Sequence, residues 1–144
     1  AELPRLVLRA VRSDTVCRRP MTMPGIGPVT APTFRATVDD PTRFRRSRAV
    51  GAYLGLTPRR YQSGETDRVG RITKVGDSET RTALFEAANV SLRPTTRWSA
   101  MTAWAMRITD RQGARRAEVA LARRMAVILP RMWNDETDFR WTAA

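Results

Sequence analysis

Large aliphatic and phenyl side chains are scarce in this chain: Leu, Ile, Val and Phe together are 28 of 144 residues. With a formal charge of +12 that fraction sits just inside the range of chains that stay disordered. A folded core must therefore be built largely from something else. The chain has 19 alanines, 6 methionines and 4 tryptophans, many of them spaced at i, i+3 and i+4. Alanine is the best helix former and contributes little to sheets. The predicted fold class is mainly α, one domain with a thin, Ala-rich core.

Along the chain, Leu3, Leu6, Val7, Ala10 and Val11 follow a helical rhythm, with Arg5, Arg9 and Arg12 off the stripe. Ser13 or Asp14 would cap a short helix that ends or bends at Pro20. A glycine hairpin follows, then small and apolar residues through Phe34, Ala36 and Val38. Asp39-Asp40-Pro41 has the form of an N-cap with proline at the first helical position, opening a segment that carries Phe44, Ala49, Val50, Tyr53 and Leu54. Over residues 57–76 the helical period disappears and Gly64, Gly70 and Gly76 punctuate a basic loop, read with or without a short β-hairpin at 71–73. Loops this long inside compact domains are more often functional or disordered than filler. Asp77 or Ser78 is expected to cap the next helix, which has Ala83, Leu84, Ala87, Ala88, Ser91 and Leu92 on one side and stops at Pro94. Trp98, Met101, Ala105 and Ile108 form a further stripe closed near Gly113, and Ala117, Leu121, Met125 and Ile128 mark a last helix over 114–133. Pro20, Pro32, Pro94 and Pro130 fall where helices prefer other residues, at about 3 kcal/mol each if interior. Residues 134–144 read as a polar, acidic tail with Phe139 and Trp141.

Of 26 cations against 14 acids, 25 are Arg and Lys74 is the only lysine. Such an excess suits a polyanion, and guanidinium favours bidentate phosphate contacts. Nucleic acid is thus the first expected partner. There is no histidine and one cysteine, Cys17. Hydrolase triads with a His base and Cys/His zinc sites are excluded. No run reaches the ~20 apolar residues of a membrane span and the first twelve residues do not form a signal peptide, so the expected location is the cytoplasm, with no membrane partner.

Two local patterns carry chemistry. Pro24-Gly25-Ile26-Gly27-Pro28-Val29-Thr30-Ala31 resembles a helix-hairpin-helix element, with Gly25 and Gly27 turning the backbone and aiming amides of the second helix at a phosphate. An ordinary helix-helix turn is the bland alternative. In the second pattern, Ser63 lies in a loop with Arg59, Arg60, Arg68, Arg71 and Lys74. Guanidinium groups can hold phosphoryl oxygens and stabilise an attacking alkoxide where no His is present. Its bland alternative is a Ser-Gly turn beside solvated arginines.

In this order, the blocks PGIGPVTA, RFRRSRAVGAYLGLTPRRYQSGE, GRITKVGD and TRTALFEAANV resemble the C-terminal domain of IS110-type insertion-sequence transposases. The resemblance covers roughly residues 21–133, leaving 1–20 as a helical lead-in and 134–144 as a tail. It implies a serine nucleophile at Ser63 that cleaves and rejoins DNA through a covalent phosphoserine. Arg59, Arg60, Arg68, Arg71 and Lys74 would clamp phosphate. It further implies a separate RuvC-like acidic domain that holds magnesium, so this chain itself would bind no cofactor or metal and be inactive alone. A bridging guide RNA and homo-oligomerisation of the full-length protein are partners of the same implied kind. Asp67, Asp77 and Glu79 are read as caps or ion-pair partners, not metal ligands. Two alternatives stand beside this reading: a non-catalytic nucleic-acid-binding module, and a degenerate remnant that folds poorly.

Overall fold

A computed structural model describes residues 5–39, 50, 54, 56 and 74–142, and among them every regular element is helical. The order is α1 (Arg5–Ser13), α2 (Thr15–Arg18), a single 3-10 turn (Pro20–Thr22), α3 (Thr30–Val38), α4 (Lys74–Ser91), α5 (Ala100–Gln112) and α6 (Ala114–Asp135). Helix α6 packs against both α4 and α5, and α3 packs against α4. The expected 71–73 hairpin lies outside the described residues.

Alanine does in this core what the composition requires of it. Ala87 and Ala88 on α4, Ala105 on α5, and Ala117, Ala122 and Ala126 on α6 are all buried. Their short side chains leave room for larger ones to interdigitate: Phe34, Met23, Leu54, Leu84, Met101, Leu121, Met125 and Leu129 are fully buried among them. Each such large side chain contributes about 1.5–3 kcal/mol on leaving water. The chain is therefore folded where described, despite a composition at the edge of disorder.

The four prolines are accommodated by position. Pro20 opens the 3-10 turn, where its missing N–H has no partner to lose. Pro32 is the third residue of α3, within the first turn whose amides lack intrahelical acceptors. Pro94 lies beyond the end of α4. Pro130 alone is interior, yet α6 runs on to Asp135 with Leu129, Pro130 and Met132 buried.

Caps explain several boundaries. Asp14 caps α2, its Oδ1 accepting from the Val16 amide at 2.9 Å. Ser99 caps α5, its Oγ accepting from the Thr102 amide at 3.0 Å. Trp98, expected on the buried stripe, instead precedes that cap and is 61% exposed. Helix α4 starts at Lys74, so Asp77 and Ser78 lie inside it rather than capping it, and the expected basic loop ends at least two residues earlier than Gly76. An acid in the first turn still favours the helix dipole. Asp39 closes α3 with φ 65°, its amide donating to the Arg35 carbonyl at 2.8 Å. Asp40 and Pro41 lie outside the described residues. On α1, Val11 is buried but Leu6 is 78% exposed, leaving that stripe only partly covered.

Past α6 the chain turns back. Glu136 adopts a left-handed conformation, and the Thr137 amide donates to the Met132 carbonyl at 3.0 Å, a Schellman ending. Phe139 is then buried, its amide donating to Thr22 Oγ1 at 2.8 Å, while the Trp141 carbonyl accepts from the Ala100 amide at 2.8 Å. Residues 136–142 thus form a strap joining the base of the glycine hairpin to the start of α5.

Candidate nucleic-acid interface

The glycine hairpin is built on α4. Gly25 has φ +83°, and a Cβ there would overlap the Ala87 backbone, with Ala87 Cα only 3.0 Å away. No other residue type fits both the conformation and the space. Beside it, the fully buried Ser91 hydroxyl lies 2.9 Å from the Pro24 carbonyl and 2.8 Å from that of Ala87, so its one proton ties the hairpin to the end of α4. Sequence placed Ser91 on the buried stripe but gave no sign of this tether, since its partner lies 67 residues away.

Gly27 is held by a different logic. Its φ is ordinary and a Cβ there would meet nothing within 4 Å, so neither strain nor packing demands glycine. The Ile26 amide bonds to the Met23 carbonyl, Ala31 to Gly27, and Thr33 to Val29. The amides of Gly27, Val29 and Thr30 find no acceptor among the described residues. Helix α3 has no side-chain cap, so these donors and the positive end of its dipole stand without a capping group among the described residues. That is the arrangement an incoming phosphate needs. The element before the hairpin is the short α2 and a 3-10 turn rather than one continuous helix.

Ser63, Arg59, Arg60, Arg68 and Arg71 lie outside the described residues. Lys74 is the first residue of α4. The chain just before the Ser63 segment is placed by two arginines that sequence did not single out. Arg81 Nη1 donates to the Leu54 carbonyl at 3.2 Å, and Arg123 Nε to the Leu56 carbonyl at 2.7 Å. Both leucines are buried. Arg81 is seven residues into α4 from Lys74, about 10 Å along its axis.

Among the described residues the one ion pair is Arg35 with Asp14, at 3.5 Å. Two more guanidinium groups lie over rings, Arg97 at 4.2 Å from the Trp141 centroid and Arg124 at 4.7 Å from Trp104. Arg107, Arg111, Arg115 and Arg116, at the end of α5 and start of α6, are exposed and carry no ion pair. Cys17 is buried with its Sγ 3.9 Å from Asp14 Oδ2. Burial first, and the Asp14 charge second, push its thiol up, Arg35 opposing them. No group of three or more His, Cys, Asp or Glu that could hold a metal occurs among the described residues, and no described helix is long and apolar enough to cross a membrane.

Comparison with known proteins decides the family. Residues 17–105, containing the hairpin, the 57–73 segment and α4, match the transposase IS116/IS110/IS902 family. The chain belongs to it. A Pseudomonas aeruginosa protein named "Probable family 20 transposase" is 35% identical over 97% of this chain and 42% of its own length. The Coxiella burnetii transposase for insertion sequence element IS1111A is 33% identical over 92% of this chain and 37% of its own. A Moraxella lacunata pilin gene-inverting protein is 37% identical over 46% of this chain and 21% of its own. The chain thus spans about two-fifths of the length of the first two relatives. No solved structure matches.

Proposed function

We propose that this chain is the DNA-contacting, serine-bearing part of an insertion-sequence transposase. The observation that carries the reading is the hairpin: no Cβ fits at Gly25 against α4, and the amides of Gly27, Val29 and Thr30 have no acceptor among the described residues. The amides and dipole would hold duplex backbone with little base readout, and the arginine excess of the chain supplies a positive potential.

In the chemical step, Ser63 Oγ attacks a phosphodiester phosphorus and yields its proton. An Oγ–P bond forms as the P–O bond to one deoxyribose breaks, and that deoxyribose oxygen takes up a proton. Rejoining reverses this with a deoxyribose hydroxyl as nucleophile. Arg59, Arg60, Arg68, Arg71 and Lys74 hold the phosphoryl oxygens. A companion acidic domain supplies the magnesium-binding carboxylates; the described residues of this chain offer no such cluster. A guide RNA and self-association belong to the whole protein under this reading.

Affinity for duplex DNA should fall steeply with salt, the slope counting the phosphates neutralised. Binding indifferent to salt overturns the interface. With the acidic domain and magnesium supplied, a covalent DNA adduct should form and vanish in Ser63→Ala. An adduct that persists in the variant removes Ser63 from the role, and salt-sensitive binding with no adduct leaves a purely binding module.

A further inference from the structure

The turn between α4 and α5 holds the one large ring among the described residues that is mostly exposed, Trp98 at 61%. A single exposed aromatic is ordinary on a protein surface. This one differs in how it is held and in what surrounds it. The turn is fixed from within: the Arg93 amide bonds the Val90 carbonyl at 3.1 Å, the Thr96 amide bonds Arg93 at 3.1 Å, and Thr96 Oγ1 donates to Val90 at 2.6 Å. On its other side Ser99 caps α5. Trp98 is therefore presented on a rigid support rather than swinging on a loose loop.

Its surroundings are cationic. No acid occurs between Glu86 and Asp110. Arg93 and Arg97 precede the ring by five residues and by one, both exposed, neither in an ion pair among the described residues. Arg97 lays its guanidinium over Trp141 at 4.2 Å, which fixes the plane while leaving its N–H edges without a hydrogen-bond partner. An exposed indole in a stretch whose only charges are cationic supplies the chemistry that holds an unpaired nucleotide, base on the ring and phosphates on the cations. A duplex, with its bases stacked inside, cannot use the ring.

We propose that Trp98, with Arg93 and Arg97, forms a stacking site for an unpaired base of single-stranded DNA or RNA, separate from the hairpin. The proposal rests on the nucleic-acid reading above, and the test keeps the two apart. The full 144-residue chain is titrated at low salt with oligo-dT, oligo-rU and a blunt DNA duplex, following anisotropy of the labelled probe and tryptophan emission. Single strands should quench part of the emission. Trp98→Phe should abolish most of that quench while keeping affinity, because phenyl still stacks. Trp98→Ala should weaken single-strand binding about tenfold and leave duplex binding unchanged. Quenching by only one of the two oligonucleotides identifies which strand type the site takes. Single-strand affinity that ignores Trp98→Ala, or that falls only in parallel with duplex affinity, overturns the stacking site and leaves the hairpin reading intact. A wild-type chain that binds none of the three probes overturns both.

Discussion

Replacing each hairpin glycine by alanine separates what the fold needs from what a ligand needs. Gly25→Ala puts a Cβ into the Ala87 carbonyl and forces an L side chain to φ +83°. The left-handed conformation costs about 1–2 kcal/mol. The overlap is with backbone, so the hairpin must move off α4, stretching the Ser91 to Pro24 bond and leaving a buried carbonyl short of a donor, a further ~1–3 kcal/mol. The sum is about 2–5 kcal/mol, against a total of about 5–15 for a domain. In thermal melts followed by circular dichroism, Gly25→Ala should unfold roughly 7–17 °C below wild type. Gly27→Ala meets nothing within 4 Å and has ordinary φ, so its stability should lie within about 0.5 kcal/mol of wild type. Its methyl fills open space next to the Gly27 amide, so duplex affinity should fall while the melt does not. A Gly25→Ala melt indistinguishable from wild type would refute the clamp. A Gly27→Ala chain that melts early, or binds DNA as tightly as before, would refute the claim that this glycine serves an incoming phosphate.

Other consequences are simpler. Ser91→Ala removes the tether and should lower the urea midpoint by the equivalent of about 1–3 kcal/mol, with duplex affinity reduced in the folded fraction. Arg123→Ala should cost about 1–3 kcal/mol by freeing the Leu56 carbonyl; a neutral result would mean Arg123 does not anchor the Ser63 segment. Cys17 has its thiol raised by burial, so the folded state keeps the proton longer than the unfolded state. Its contribution is complete below the ordinary thiol value of 9.0 and is lost as pH rises past it toward the folded value. Urea midpoints should therefore drop in that alkaline window, and the drop should shrink in Cys17→Val.

What could be read ahead of the structure was set by local physics. Helices α5 and α6 announced themselves because Met101 and Ala105, and Ala117, Leu121 and Met125, repeat at helical spacing and are all buried. Gly113 ends α5 with φ +94°, a conformation glycine adopts freely. Asp14 was one of two legible caps for α2, and its carboxylate makes the bond. The misreadings arose where two local signals competed. Trp98 fits the α5 stripe by spacing, but Ser99 is a stronger cap than Trp98 is a core residue. Asp77 and Ser78 look like caps, yet α4 extends past them to Lys74. The tethers of the hairpin were out of reach for another reason. Ser91 to Pro24, Phe139 to Thr22 and Arg123 to Leu56 join residues 67, 117 and 67 apart, and no spacing rule connects them. Spacing assigns Gly25 and Gly27 the same turning role, whereas Gly25 stands where no Cβ fits and Gly27 beside open space.

The arginine excess also divides by task, which bears on how so thin a core holds. Arg81 and Arg123 donate to backbone carbonyls, Arg35 pairs with Asp14, and Arg97 and Arg124 stack on rings. These act as struts, replacing part of the apolar contact that 28 large aliphatic and phenyl residues cannot supply. Arg107, Arg111, Arg115 and Arg116 are exposed without ion-pair partners and only add to self-repulsion in the free chain. A polyanion bound to the folded state removes that repulsion and adds its own linkage, about 2.7 kcal/mol at a hundred times its dissociation constant. Replacing the second group with glutamine should therefore raise the stability of the free chain while weakening its stabilisation by DNA. The same change in the struts should lower stability with or without DNA. The described arginines thus include two populations, one paying for the fold and one destabilising it until the partner arrives.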